Sequence, residues 1–148
     1  MPSAGDFVRP DEIFTEWSPF TPTWNNFTKG NGTVAGMWRR TGSKTIELSA
    51  QFVFGSTSAL AGAAFSLVLP GGLVADGSVV RQGVPAWVMD ASATNQWAPG
   101  LAVPPNGGGS TLTFYGPTTS FAAWQNTSPI TWATGDVCLV QGSVIVTT

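Results

Sequence analysis

The chain carries eight Asp or Glu side chains, six Lys or Arg, one cysteine and no histidine. Without histidine, no Ser-His-Asp or Cys-His relay, no imidazole general base and no His-containing zinc site can be assembled. Glycoside hydrolysis needs only two carboxylates, and outside the N-terminal segment the candidates are Glu47, Asp76, Asp90 and Asp136. Ordinary structural roles compete for them. Asp76-Gly77 is a turn dipeptide, Gly135-Asp136 opens a strand, and Glu47 falls on the polar face of an alternating run. Nucleophile elbows (G-x-S-x-G), S-x-x-K, the phosphate loop G-x-x-x-x-G-K and C-x-x-C are all absent from the sequence. Gly30-Asn31-Gly32-Thr33-Val34-Ala35-Gly36 has the spacing G-x-G-x-x-x-G and reads as a hairpin turn. Cys138, between Val137 and Leu139, reads as a small buried hydrophobe. The expectation is a protein that is not an enzyme, with no catalytic residue, no cofactor and no metal ligand.

Binding is the chemistry left, and aromatic side chains are its usual carriers. Of the seven tryptophans, Trp24, Trp38 and Trp132 fall in or beside strand patterns and are expected in the core. Trp97 and Trp124 sit in polar contexts, Asn95-Gln96-Trp97 and Trp124-Gln125-Asn126. Flat rings beside amides suit stacking on a sugar with hydrogen bonds to its hydroxyls, or anchoring a partner. Trp97, Trp124, Gln125 and Asn126 are therefore the candidate glycan- or partner-binding residues. Arg39 and Arg40 beside Trp38 read as a solvated strand end.

These residues need positioning elements, and the pattern supplies strands. From Thr45 to Phe54, Ile46, Leu48, Ala50, Phe52 and Phe54 alternate with Thr45, Glu47, Ser49, Gln51 and Val53, as a half-buried strand requires. Phe65, Leu67 and Leu69 alternate before Pro70-Gly71-Gly72, and Leu112 and Phe114 before Gly116-Pro117. A last strand is expected over Val137–Val146, with Gly142 marking a bulge or a close approach. Weaker strands are predicted at 21–27, 34–41 and 79–89, and long surface loops at 90–109 and 118–129. Eighteen glycines and 11 prolines punctuate these runs. The prediction is an all-β, antiparallel β-sandwich or jelly-roll-like domain over residues 20–148.

Residues 1–19 hold Asp6, Asp11, Glu12 and Glu16 with three prolines and the apolar Phe7, Ile13, Phe14 and Trp17. This composition predicts an extended N-terminal arm in which those four apolar residues are anchors. Met1–Asp6 shows neither a positive region nor an apolar one, so no secretory signal is expected. The longest apolar stretch, Ala59–Leu69, is shorter than the roughly 20 residues a membrane helix needs, so no membrane insertion is expected.

Charge is scarce. Charged residues are 9% of the chain, against about 25% in ordinary soluble domains. Beyond Asp90 the sole charged residue is Asp136. A surface so poor in charge is expected to lie against symmetry mates or a larger assembly. A net charge of −2 with scattered cations excludes the basic footprint of a nucleic-acid binder.

Four short stretches follow one another along the chain: Thr21-Pro22-Thr23-Trp24, the run from Gly30-Asn31-Gly32-Thr33 to Arg39-Arg40-Thr41-Gly42, Phe65-Ser66-Leu67-Val68-Leu69-Pro70, and Pro129-Ile130-Thr131-Trp132-Ala133-Thr134-Gly135-Asp136. In this order they resemble a family of small structural proteins of tailed bacteriophages, especially those infecting actinobacteria. The opening Ala4-Gly5-Asp6-Phe7-Val8-Arg9-Pro10-Asp11 resembles the arm of many phage appendage proteins. The resemblance implies a β-rich, commonly trimeric domain on the virion surface, tethered by its arm to a major capsid or tail protein. Its members serve as capsid decoration, head-fibre or tail-appendage components, and it brings no catalytic residues. A short chain without a long fibre region favours the head. The alternative is a tail-tip receptor-binding module that recognises host-surface glycan through exposed tryptophans.

Overall fold

A computed structural model describes residues 15–79, 81–93, 96–117 and 121–147. The predicted arm anchors Phe7, Ile13 and Phe14 lie outside the described residues. The first strands are β1 (Ser18–Phe20), β2 (Trp24–Asn25), β3 (Phe27–Thr28), β4 (Thr33–Arg40), β5 (Thr45–Val53), β6 (Ala59–Leu60) and β7 (Ser66–Val68). After a 3-10 turn at Pro70–Gly72 come β8 (Ala75–Asp76), β9 (Val84–Asp90), β10 (Gln96–Val103), β11 (Gly108–Gly109), β12 (Thr111–Pro117), β13 (Phe121–Ala123) and β14 (Val137–Ile145). The chain is all-β, and no described helix is long and apolar enough to cross a membrane.

Ten strands form one antiparallel sheet in the order β1-β4-β5-β14-β9-β10-β12-β7-β2, with β13 added to β12. The two end strands of that path are joined by only Thr21–Thr23, so the sheet curls until its ends share one core. Trp24 of β2 meets Phe52 of β5 edge-on at 4.9 Å between ring centroids, and Phe65 lies 5.7 Å from Phe52 and 5.2 Å from Phe114 of β12. Strand alternation builds this interior. On β5, Ile46, Leu48, Ala50 and Phe52 are buried, and on β14 so are Cys138, Val140 and Val144. Burying the larger of these, Ile46, Leu48, Phe52, Val140 and Val144, stabilises by about 1.5–3 kcal/mol each.

The period-two runs become β5, β7, β12 and β14 where predicted. Gly142 marks a close approach, since the register with β5 continues unbroken at Gly142 opposite Leu48 and a Cβ there would lie 3.0 Å from Val84 Cγ1. The weak strand at 21–27 is split in two by Asn26, whose φ is 59° and whose Nδ2 donates to the Ala64 carbonyl at 2.7 Å. Two predictions are corrected. The expected loop at 90–109 contains β10, which pairs with β9 from Gln96 to Ala102. Its Pro99 and Gly100 argue for a loop, yet β12 pairs with β10 only from Leu101 to Val103, so at Pro99 one edge needs no donor. The expected loop at 118–129 contains β13 and ends in a buried tryptophan.

Residues Thr15–Phe20 run along the sheet edge. Thr15 donates its amide to the Arg40 carbonyl at 3.2 Å, and Ser18–Phe20 pairs with Trp38, Met37 and Gly36. The predicted boundary between arm and domain, at residues 19 and 20, falls inside β1.

Candidate interaction surface

Each carboxylate considered for acid-base chemistry is tied into its own neighbourhood. Glu47 Oε2 accepts from Arg39 Nε at 2.8 Å and pairs with Nη2 at 2.7 Å. Asp76 Oδ1 accepts from the Ser78 hydroxyl at 2.6 Å and amide at 2.8 Å, and these bonds hold its carboxyl below the usual carboxylate range. Asp90 Oδ1 takes the Ser92 hydroxyl at 2.9 Å and the Ala93 amide at 2.9 Å, closing the turn after β9. Asp136 is wholly buried, accepting the Ala133 amide at 2.6 Å and the Ser92 amide at 3.2 Å. It thereby fastens the turn that opens β14 to the turn that ends β9. No group of three or more Cys, Asp or Glu is clustered to hold a metal among the described residues.

The predicted binding tryptophans lie on opposite faces of the sheet. Trp97 projects from the outer face of β10 and is 57% exposed. Trp124 is corrected: its ring is wholly buried, stacked 6.1 Å from Phe114, and offers no face to a sugar. Its place is reserved by Gly100 and Gly116, where any Cβ would run into the indole. A single large apolar ring in a polar-looking segment was drawn inward because the alternative was an unfilled core. Gln125 forms a two-way backbone bridge with Ser128 at 3.1 and 3.2 Å, and its carbonyl accepts Trp132 Nε1 at 3.1 Å. Asn126 is exposed at the tip of that turn. Trp17 is 37% exposed, with the Arg39 guanidinium 4.9 Å over its ring.

The sequence pointed to the charge-poor region beyond Asp90 but not to the residues that share its outer face. Register places Val137, Met89 and Trp97 in one row across β14, β9 and β10, and Leu139, Trp87 and Pro99 in the next. A third row continues from Pro85 through Leu101 to Tyr115 on β12. Leu101 is 39% exposed. None of these outward residues is charged, and Asp136, the one charged residue of 91–148, is buried. The β4–β5 half differs, with Arg39, Glu47, Ser49 and Gln51 pointing outward. The signal was present as apolar residues on both faces of Val84–Met89, a pattern of strands covered on both sides. This face is therefore the candidate interaction surface.

The loop motif Gly30-Asn31-Gly32-Thr33 has a structural duty. Asn31 Oδ1 accepts the Thr57 amide at 2.9 Å and hydroxyl at 3.0 Å, while its Nδ2 donates to Ser56 Oγ at 2.9 Å. Ser58 Oγ bonds the Lys29 carbonyl, clasping the two loops together. Compared with family models, with curated proteins and with solved structures, the chain matches none of them.

Proposed function

We propose that this chain is a non-enzymatic subunit of a bacteriophage virion surface, a capsid decoration or head-fibre component that self-associates, as a trimer, through the outer face of β14, β9 and β10. The charge-free aromatic face carries the reading: a surface holding Trp87, Met89, Trp97, Leu101 and Leu139 without a charge gains more from a protein neighbour than from water. The local duties of the carboxylates support a role without chemistry. The ordered sequence motifs supply the virion setting, and the arm, with Phe7, Ile13, Phe14 and Trp17 as anchors, supplies the tether to a major capsid or tail protein.

The 57% exposure of Trp97 favours a second reading, a tail-tip module that recognises host-surface glycan. Antibody to residues 20–148, located by gold labelling on purified particles, separates the two. Label over the head is the expected result, label at the tail tip supports the second reading, and unlabelled particles overturn both. Light scattering of the full chain tests association itself, and a monomer at high concentration overturns the trimer.

A further inference from the structure

At the far margin of that face, a groove of two lobes opens between β12 and the turn that follows β10. The larger lobe, about 500 Å³, is walled by Val103, Thr113, Tyr115 and Phe121, and the smaller, about 190 Å³, by Asp76, Gly77, Val79 and Gln82. Arg81 and Pro104-Pro105-Asn106 border both lobes and stand at their junction. The larger volume lies within the range of about 300–1,000 Å³ common for ligand sites.

The walls are held in place. The 104–108 turn closes through the Gly108 amide on the Pro105 carbonyl at 3.0 Å, and β11 pairs with β8 beside Asp76. Gln82, next to Arg81, accepts the Ile145 amide at 2.6 Å and donates to the Ile145 and Asp76 carbonyls at 2.9 and 3.2 Å. Tyr115 and Phe121 stack 6.3 Å apart with an interplanar angle of 11°, and Phe121 is 63% exposed. A groove built before its ligand arrives loses little ordering entropy on binding.

The chemistry of this lining is specific. The ion pair of the described residues joins Arg39 to Glu47, so Arg81 borders the groove with no carboxylate partner among them. A guanidinium beside an aromatic platform suits a carboxylate on a ring whose C–H face can stack. We propose that this groove binds an acidic saccharide, with one sugar carboxylate on Arg81, its ring against Tyr115 and Phe121, and the neighbouring sugar's hydroxyls at Asn106 and Asp76. The Asp76 carboxyl, held ionised by Ser78, repels a second carboxylate from the smaller lobe. The site therefore favours a chain acidic on alternate rings over one acidic on every ring. It does not depend on the assembly reading.

Calorimetric titration of the full chain with hyaluronan hexasaccharide, hexagalacturonate and chitohexaose tests this. The expected result is hyaluronan hexasaccharide binding at least about tenfold more tightly than the other two, with the preference over chitohexaose lost in Arg81→Gln and binding weakened about tenfold in Phe121→Ala. Trp97→Ala should bind as the parent does. Light scattering on each variant identifies any change in association, and Asn106→Ala then serves in place of Phe121→Ala. Equal binding of chitohexaose, tighter binding of hexagalacturonate, a preference over chitohexaose that survives Arg81→Gln, or no binding of any of the three overturns the proposal.

Discussion

Trp124 fills the space that a side chain at Gly100 would need: a Cβ on Gly100 would collide with the ring edge and with the Tyr115 carbonyl. Gly116 meets the same indole, with Cε2 and Cζ2 each 2.7 Å from where its Cβ would stand. Gly100→Ala should therefore destabilise by about 1–3 kcal/mol, the range for overpacking a filled core. Thermal unfolding should show a fall of about 2–4 °C per kcal/mol. Trp124→Ala should cost more, about 3–5 kcal/mol, because it leaves a cavity. Any loss of binding in that variant then reports unfolding.

On the outer face the expectation reverses. Trp97→Ser and Leu101→Lys change residues that are 57% and 39% exposed, so the dilute protein should unfold within about 0.5 kcal/mol of the parent. Sedimentation at high concentration should show both variants dissociated, Leu101→Lys more completely, since a charge buried in an apolar contact has no partner. Unchanged association in both would place the subunit contact elsewhere.

Asn31→Ala removes three side-chain hydrogen bonds to Ser56 and Thr57. These loops are exposed and water replaces part of what is lost, so denaturant unfolding should register about 1–2 kcal/mol. Gly30→Ala should be at least as damaging, because φ is 55° there and the Thr57 backbone occupies the space of a Cβ.

Cys138 is buried, and desolvation pushes its thiol well above the ordinary cysteine range. Thiol-labelling reagent at pH 8 should modify the native protein far more slowly than the urea-unfolded chain. The unfolded thiol ionises near pH ~8.5 while the folded one does not. Stability should be full below that pH and decline as pH rises toward the folded value. Cys138→Ser should remove this part of the alkaline decline. Rapid native labelling would contradict the burial.

The all-β class and the strands β5, β7, β12 and β14 were legible because one face of each is buried and the other is wetter, which writes a period of two into the residues. β10 was not, because Pro99 and Gly100 carry loop signals whose exemption comes from the sheet: a neighbour missing on one edge and an indole pressed on the other face. The candidate surface was half legible. The charge shortage after Asp90 pointed to an uncharged region of surface, yet the rows joining Met89, Trp97, Trp87 and Leu139 exist only through strand register.

By itself, the sequence determined what this protein lacks and what its strands bury. No histidine means no imidazole chemistry, and alternation commits Ile46, Leu48 and Phe52 to one side of a strand wherever that strand lies. Only the tertiary structure decided which tryptophan faces water. Trp97 and Trp124 stand in similar polar contexts, and local sequence carries no term that separates them. The separation is made by the curl of the sheet, which turns Gly100 and Gly116 into a slot for one indole and leaves the other outside.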